Sequence, residues 1–263
     1  MNKKIFNLKV FWKINLYPAL LFLAFLIWCF AFRKFLSAEL WLVSDAIAYY
    51  EHFKVYFDHL IQGIYPMWDP TMNCGIPLEY FLRRIGSFNP VYSIIWLLRC
   101  VGIEHVHAYL CFLAVYFFIG MIGYFKLACL ILQDKRMAFV AYLILMFSSL
   151  GTRLFDSFIL LTFIPMVWFF YFLTAFALNQ RKHLFLGMTL TAMILFTTYV
   201  PFYFITIFLS FIIFYAVFYL NRVKEIILAE FNFMKKNKFF VGICLLAFCV
   251  SLIPGALLFK QAQ

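Results

Sequence analysis

The chain has 263 residues, 67% of them hydrophobic and 13% charged, with a formal net charge of +11. Soluble domains carry about 25% charged residues, and surface-to-volume scaling leaves no room to bury this much apolar surface, so the composition excludes a soluble fold and indicates an integral membrane protein. The basic excess is scattered, with no basic stripe and no nucleic-acid motif. It therefore reads as the unequal distribution of Lys and Arg across a bilayer, and no nucleic acid is expected as a partner.

The amino terminus is basic (Lys3, Lys4, Lys9, Lys13) and leads into an apolar run from Ile14 to about Phe32. That run is too long for a signal-peptide core, and Arg33-Lys34-Phe35 offers no small-residue cleavage site. A first transmembrane span over 14–36 is expected, entering from the cytoplasm. An outward loop over 37–106 follows, holding Glu39, Asp45, Glu51, Asp58, Asp69, Glu79 and Glu104, seven of the eleven carboxylates. Within it, Tyr49, Phe53, Tyr56 and Leu60 recur at helical spacing, with Glu51, Lys54, Asp58 and Gln62 opposite. The pattern predicts an amphipathic helix lying on the membrane surface, apolar face down, and stopped by Gly63. The segment Tyr65-Pro66-Met67-Trp68-Asp69-Pro70 and then Gly75-Ile76-Pro77 have prolines that fix φ and push the preceding residues to extended backbone, so the loop is shaped. Val91–Val101 is apolar but too short to span about 30 Å of hydrocarbon and is placed at the interface.

About six further spans are expected over 107–259. His107–Leu132, Met137–Met146 and Phe158–Leu178 are three, the last two separated by a polar break containing Ser148, Ser149, Arg153 and Asp156. Leu184–Leu220 carries no charge and is long enough for two short helices joined at Thr197–Pro201. A basic connector over Asn221–Lys238 precedes a last span over Phe239–Phe259. With these boundaries, the loops assigned to the cytoplasm hold thirteen Lys and Arg, and the opposite side holds five: Lys54, Arg83, Arg84, Arg99 and Arg153. The bias places the carboxylate-rich loop outside, in a multi-pass all-α protein of the cell membrane. The seven cysteines contain no CxxC pair; Cys74 and Cys100 flank the polar stretch, and nothing in the spacing demands that they pair.

Several groups have the chemistry for a site. Asp45 stands where the first span gives way to the amphipathic helix. A carboxylate there fits either a general base tuned by partial desolvation or a simple helix cap. Arg153 and Asp156 interrupt the spans, and an Arg in that setting fits phosphate binding or a paired, snorkelling residue. Trp68 and Tyr80 fit interfacial anchors or stacking platforms for a sugar ring. His105 and His107, two residues apart, diverge on a helix and make a poor metal pair. His52 and His59, seven residues apart, fall near one stripe with Asp45.

In order, these features resemble the YfhO-type bacterial membrane proteins of the GT-C glycosyltransferase superfamily. The residues that carry the resemblance are Asp45, Tyr49, Gly63, Pro66, Trp68, Asp69, Pro70, Gly75, Pro77, Asn89 and Pro90. Ser148–Gly151 and Thr198-Tyr199 are similar but less specific. The resemblance implies an inverting transfer of a sugar from a polyprenyl-phosphate donor to a cell-envelope glycan or glycolipid on the outer face. It implies Asp45 as general base, Arg153 with Arg83 or Arg84 on the donor phosphate, and Tyr49, Trp68, Asp69 and Tyr80 in the substrate loop. A divalent cation, Mg or Mn, serves some members of that superfamily. Those proteins generally carry more than seven spans and often a soluble outer domain, so an amino-terminal fragment is also expected. A transporter or flippase of a lipid-linked precursor, which would place functional charges near the bilayer midplane, and a non-catalytic assembly protein are the alternatives.

Overall fold

A computed structural model describes residues 16–39, 45–64, 68–69, 75–77, 89–149, 151–152, 159–198 and 201–261. Helix α1 is Leu16–Ala31 and α2 is the single turn Arg33–Leu36. Helix α3 is Asp45–Ile61, and a 3-10 turn at Pro90–Tyr92 runs into α4, Ser93–Cys100. Then come α5 (His105–Leu132), α6 (Lys135–Phe147), α7 (Ile159–Asn179), α8 (Lys182–Thr197), α9 (Pro201–Lys236) and α10 (Lys238–Gln261). Two short strands, β1 (Trp68–Asp69) and β2 (Ile76–Pro77), pair antiparallel.

Among the described residues, α5 and α7 are long and apolar enough to cross a membrane. At 1.5 Å per residue their 28 and 21 residues reach about 42 and 32 Å, against about 30 Å of hydrocarbon. The elbow formed by Glu230–Lys236 and Lys238–Ile253 makes a third candidate if the bent pair counts as one span. The 13 residues of α6 and the 16 of α8 give only about 20 and 24 Å, short of a bilayer crossing without tilt or thinning.

The bundle is built around α5. It packs along α7 on one side and α6 on another, while α8 lies on the far side of α7 and α10 against α8. Tyr17 near the start of α1 meets Phe125 and Phe139, and Trp28 near its end meets Phe117, so α1 runs antiparallel to α5. The Tyr142 hydroxyl donates to the Leu21 carbonyl at 3.0 Å and fixes α6 to α1. The resulting core holds Trp28, Phe112, Phe117, Met121, Tyr142, Met146 and Ile164. Outward-facing Phe30, Ile144, Phe214, Val217 and Leu246 are all more than 60% exposed, an arrangement that suits hydrocarbon and not water.

Two turn positions match the sequence reading. Gly63, at φ +73°, ends α3, with its amide bonded to the Leu60 carbonyl and the Ile64 amide to that of His59. The break expected at Thr197–Pro201 falls between α8 and α9. The expected connector over 221–238 differs: it continues α9 as helix past a non-helical residue, Tyr219 (φ −135°, ψ 38°). It contains no Gly or Pro, and its Ile227, Phe231 and Met234 keep helical spacing, so the charges sit on a helix and do not end it.

Candidate functional site

The described part of the carboxylate-rich segment 37–106 is held to the bundle by aromatic packing on one helix. Phe53, fully buried at the middle of α3, meets Tyr92 edge-on at 4.9 Å, Tyr109 at 5.4 Å and Phe112 at 5.7 Å. Tyr49, His52 and Phe57 are buried with it, whereas Tyr56 and Leu60 are only half-buried. The apolar face of α3 thus rests on α4 and α5 and not on lipid. Helical periodicity tells which face needs covering and is silent about what covers it, which is why the surface-lying helix expected from sequence differs from the packed one. Glu51 and Lys54 remain exposed, as their place on the polar face requires.

Asp58 is only partly exposed and is paired. Its carboxylate accepts a hydrogen bond from Arg99 Nη2 on α4 at 2.5 Å, with the two side chains 34% and 25% exposed. Arg99 Nε is buried without a hydrogen-bond partner among the described residues. Beside the pair, the Tyr50 ring lies 5.0 Å from His105 and 5.4 Å from Tyr109. Burial raises the Tyr50 hydroxyl pKa, the Asp58 charge raises it further, and Arg99 opposes both. His105 is buried, and neither of its ring nitrogens reaches a side-chain partner among the described residues. His107 points out, with Nδ1 3.8 Å from Glu104. The two histidines therefore diverge, as their spacing requires. His59 is fixed by a 2.8 Å contact between its Nδ1 and the Val55 carbonyl.

The Asn89-Pro90 step has a clear structural task. Asn89 Oδ1 accepts from the Val91 amide at 3.1 Å and starts the 3-10 turn, while Nδ2 donates to the Tyr116 hydroxyl at 3.1 Å, both groups being buried. One side chain caps the 3-10 turn that leads into α4 and ties it to α5. Gly102, at φ +87°, then lets the chain reverse into α5.

The residues singled out from sequence fall into three groups. Asp45 is the first residue of α3, one turn before Tyr49 on the anchored helix, and its backbone alone is described. Tyr49 is 6% exposed with its ring edge-on to His52, so it is part of the core that positions the loop. Trp68 and Asp69 form β1, with Trp68 opposite Pro77 and Asp69 opposite Ile76. Asp69 and Ile76, which each precede a proline, thus face one another in extended backbone, as the prolines dictate. Tyr80, Arg83, Arg84, Arg153 and Cys74 lie outside the described residues, and Cys100 is exposed and free. No three His, Cys, Asp or Glu side chains gather to hold a metal ion among the described residues, which do not include the side chains of Asp45, Asp69 and Glu79.

The Asp58–Arg99 pair and the Asn89–Tyr116 bond were not foreseen. Their partners are 41 and 27 residues apart, and no local spacing signals either. No family model, curated protein or solved structure matches the chain.

Proposed function

We propose that the chain is a GT-C-like membrane glycosyltransferase with about seven spans, its amino terminus in the cytoplasm and its carboxylate-rich loop outside. It moves a sugar from a polyprenyl-phosphate donor to an acceptor hydroxyl of the cell envelope. Asp45 takes the proton from the acceptor hydroxyl, the acceptor oxygen attacks the anomeric carbon from the face opposite the leaving group, and the polyprenyl phosphate departs with the bonding electron pair. Arg153, with Arg83 or Arg84, holds the departing phosphate by charge-assisted hydrogen bonds. Tyr49 positions the start of the loop, and Trp68, Asp69 and Tyr80 bound the sugar.

One observation carries the reading: Asp45 opens a helix whose next turns are pinned to α5 through Tyr49 and Phe53. A general base works only when held at a fixed place, and a boundary carboxylate on an anchored helix meets that need better than one on a free loop. The test is transfer of labelled sugar from polyprenyl-phosphate donors, assayed in membranes containing wild type, Asp45→Asn or Asp45→Glu. The Asn variant is expected to lose about 10²- to 10⁴-fold in rate at normal expression, with partial recovery in the Glu variant. Unchanged turnover in Asp45→Asn refutes the base assignment.

A further inference from the structure

The end of the bundle opposite Asp45 carries a second built feature. Arg181 and Lys182 mark the turn into α8, and Lys235, Lys236 and Lys238 surround the break between α9 and α10; all five are exposed. These segments lie about fifty residues apart in the chain, and aromatic packing brings them together. Phe233 meets Phe176 edge-on at 4.9 Å and Phe185 at 5.8 Å, and Phe185 lies 6.1 Å from Phe240. Lys182 Nζ sits 5.8 Å from the Phe240 ring, which joins the two basic segments directly. Glu225 and the half-buried Glu230, both on α9, are the only carboxylates in the sequence after Asp156, against five exposed basic side chains at this end.

The helix geometry is equally specific. Glu230–Lys236 meets Lys238–Ile253 at 103°. With the second segment directed across a bilayer, the first lies close to the membrane plane. Its inward side is Phe233, 7% exposed, while Phe231 on the other side, with Ile227 and Leu228 in the preceding turn of α9, is 54%, 58% and 62% exposed in that order. Lys235 Nζ lies 5.8 Å from the Phe231 ring and continues the stripe of Leu228 and Phe231 at its basic end. A helix in the interface plane with an apolar face and a lysine margin binds by sinking the first among acyl chains and holding phosphates with the second.

We propose that this elbow is a docking site for anionic phospholipid head groups. Ile227, Leu228 and Phe231 enter the acyl boundary, while Arg181, Lys182, Lys235, Lys236 and Lys238 close around the phosphates. An acidic soluble protein would satisfy the charges but would leave the apolar row facing water. The site is independent of the proposed sugar transfer and can be tested without it.

The experiment uses the full chain purified in a mild detergent, titrated with phosphatidylglycerol or with phosphatidylcholine of the same acyl chains, and followed by the thermal midpoint. Phosphatidylglycerol is expected to stabilise at about tenfold lower concentration, an advantage that about 0.5 M NaCl reduces. The variant R181Q/K182Q/K235Q/K236Q/K238Q is expected to lose that advantage, and the charge-keeping variant K182R/K235R/K236R/K238R to retain it. A control at the same end, K135Q/R136Q, is expected to behave as wild type. If the fivefold variant does not fold, the salt titration and the charge-keeping variant decide. Equal response to the two lipids overturns the proposal. So does an advantage that survives the fivefold variant or high salt, or one that is lost equally in the control or in the charge-keeping variant.

Discussion

The contact between α5 and α7 makes a sharp prediction at Gly123. A Cβ built there would stand 2.7 Å from Trp168 Nε1 and 2.8 Å from its Cε2, well inside van der Waals contact. The indole cannot easily give way: its Nε1 donates to the Ile119 carbonyl at 3.0 Å, its ring stacks on Phe172 at 5.4 Å, and Lys126 Nζ lies 5.0 Å from the ring. Gly123→Ala must either separate the helices or turn the indole off its carbonyl. Overpacking costs about 1–3 kcal/mol and the lost hydrogen bond about 1 kcal/mol, so the expected destabilisation is about 2–4 kcal/mol. Gly120→Ala is expected to cost a similar amount, about 1–3 kcal/mol by overpacking, since the added methyl would meet Ile164 Cγ1 at 2.5 Å and a buried β-branched side chain in a helix is held to about one χ1 rotamer. Reversible unfolding in mixed micelles, with α-helical signal and tryptophan fluorescence read together, measures both. A Gly123→Ala protein within about 0.5 kcal/mol of wild type would refute the close-packed interface.

Three further outcomes follow from the carboxylate-rich end. Phe53→Ala empties a fully buried aromatic site between Tyr92, Tyr109 and Phe112 and should destabilise by about 3–5 kcal/mol. Limited proteolysis should then cut near α3 before the rest of the bundle. The Asp58–Arg99 pair is partly exposed, so its coupling is expected at about 1 kcal/mol in a double-mutant cycle of Asp58→Asn and Arg99→Gln, and additive single effects would contradict the pair. Tyr50 holds its proton more tightly folded than unfolded, so its contribution to stability is complete below about pH 10 and is lost as pH rises through its raised folded value. Tyr50→Phe should therefore flatten the alkaline fall in stability, and an unchanged slope counts against its burial beside Asp58.

Those features differ in how far the sequence announces them. Gly63 as the stop of α3 and the break at Thr197–Pro201 are legible because local backbone chemistry decides them. The two strands follow equally from the prolines after Asp69 and Ile76. Helix α3 itself is legible from Tyr49 and Phe53, but its partner is not, since lipid and protein satisfy the same periodicity. The Gly120 and Gly123 pair is read as plain apolar sequence until Ile164 and Trp168 are seen against it. Charged residues in 221–238 look like a loop because composition outweighs spacing in a short window. The helical spacing of Ile227, Phe231 and Met234 is there to read, and Phe233 packing on Phe176 and Phe185 adds a contact made across the fold. Of the candidate residues, the start of α3 at Asp45 and the extended backbone at Trp68–Asp69 are legible as local structure. The polar pairs that stiffen the surroundings of α3 are long-range, and local patterns carry no trace of them.

The proposed transfer requires the carboxylates and the lysines to lie at opposite faces of one membrane. In a background with the seven native cysteines replaced, Glu51→Cys and Lys236→Cys place one exposed thiol at each end of the bundle. Labelling intact cells with a membrane-impermeant maleimide is predicted to modify the thiol at position 51 and to spare that at 236 until the membrane is opened. Modification at 236 in intact cells, or protection at 51 with the protein correctly inserted, would contradict the arrangement on which the proposed transfer depends.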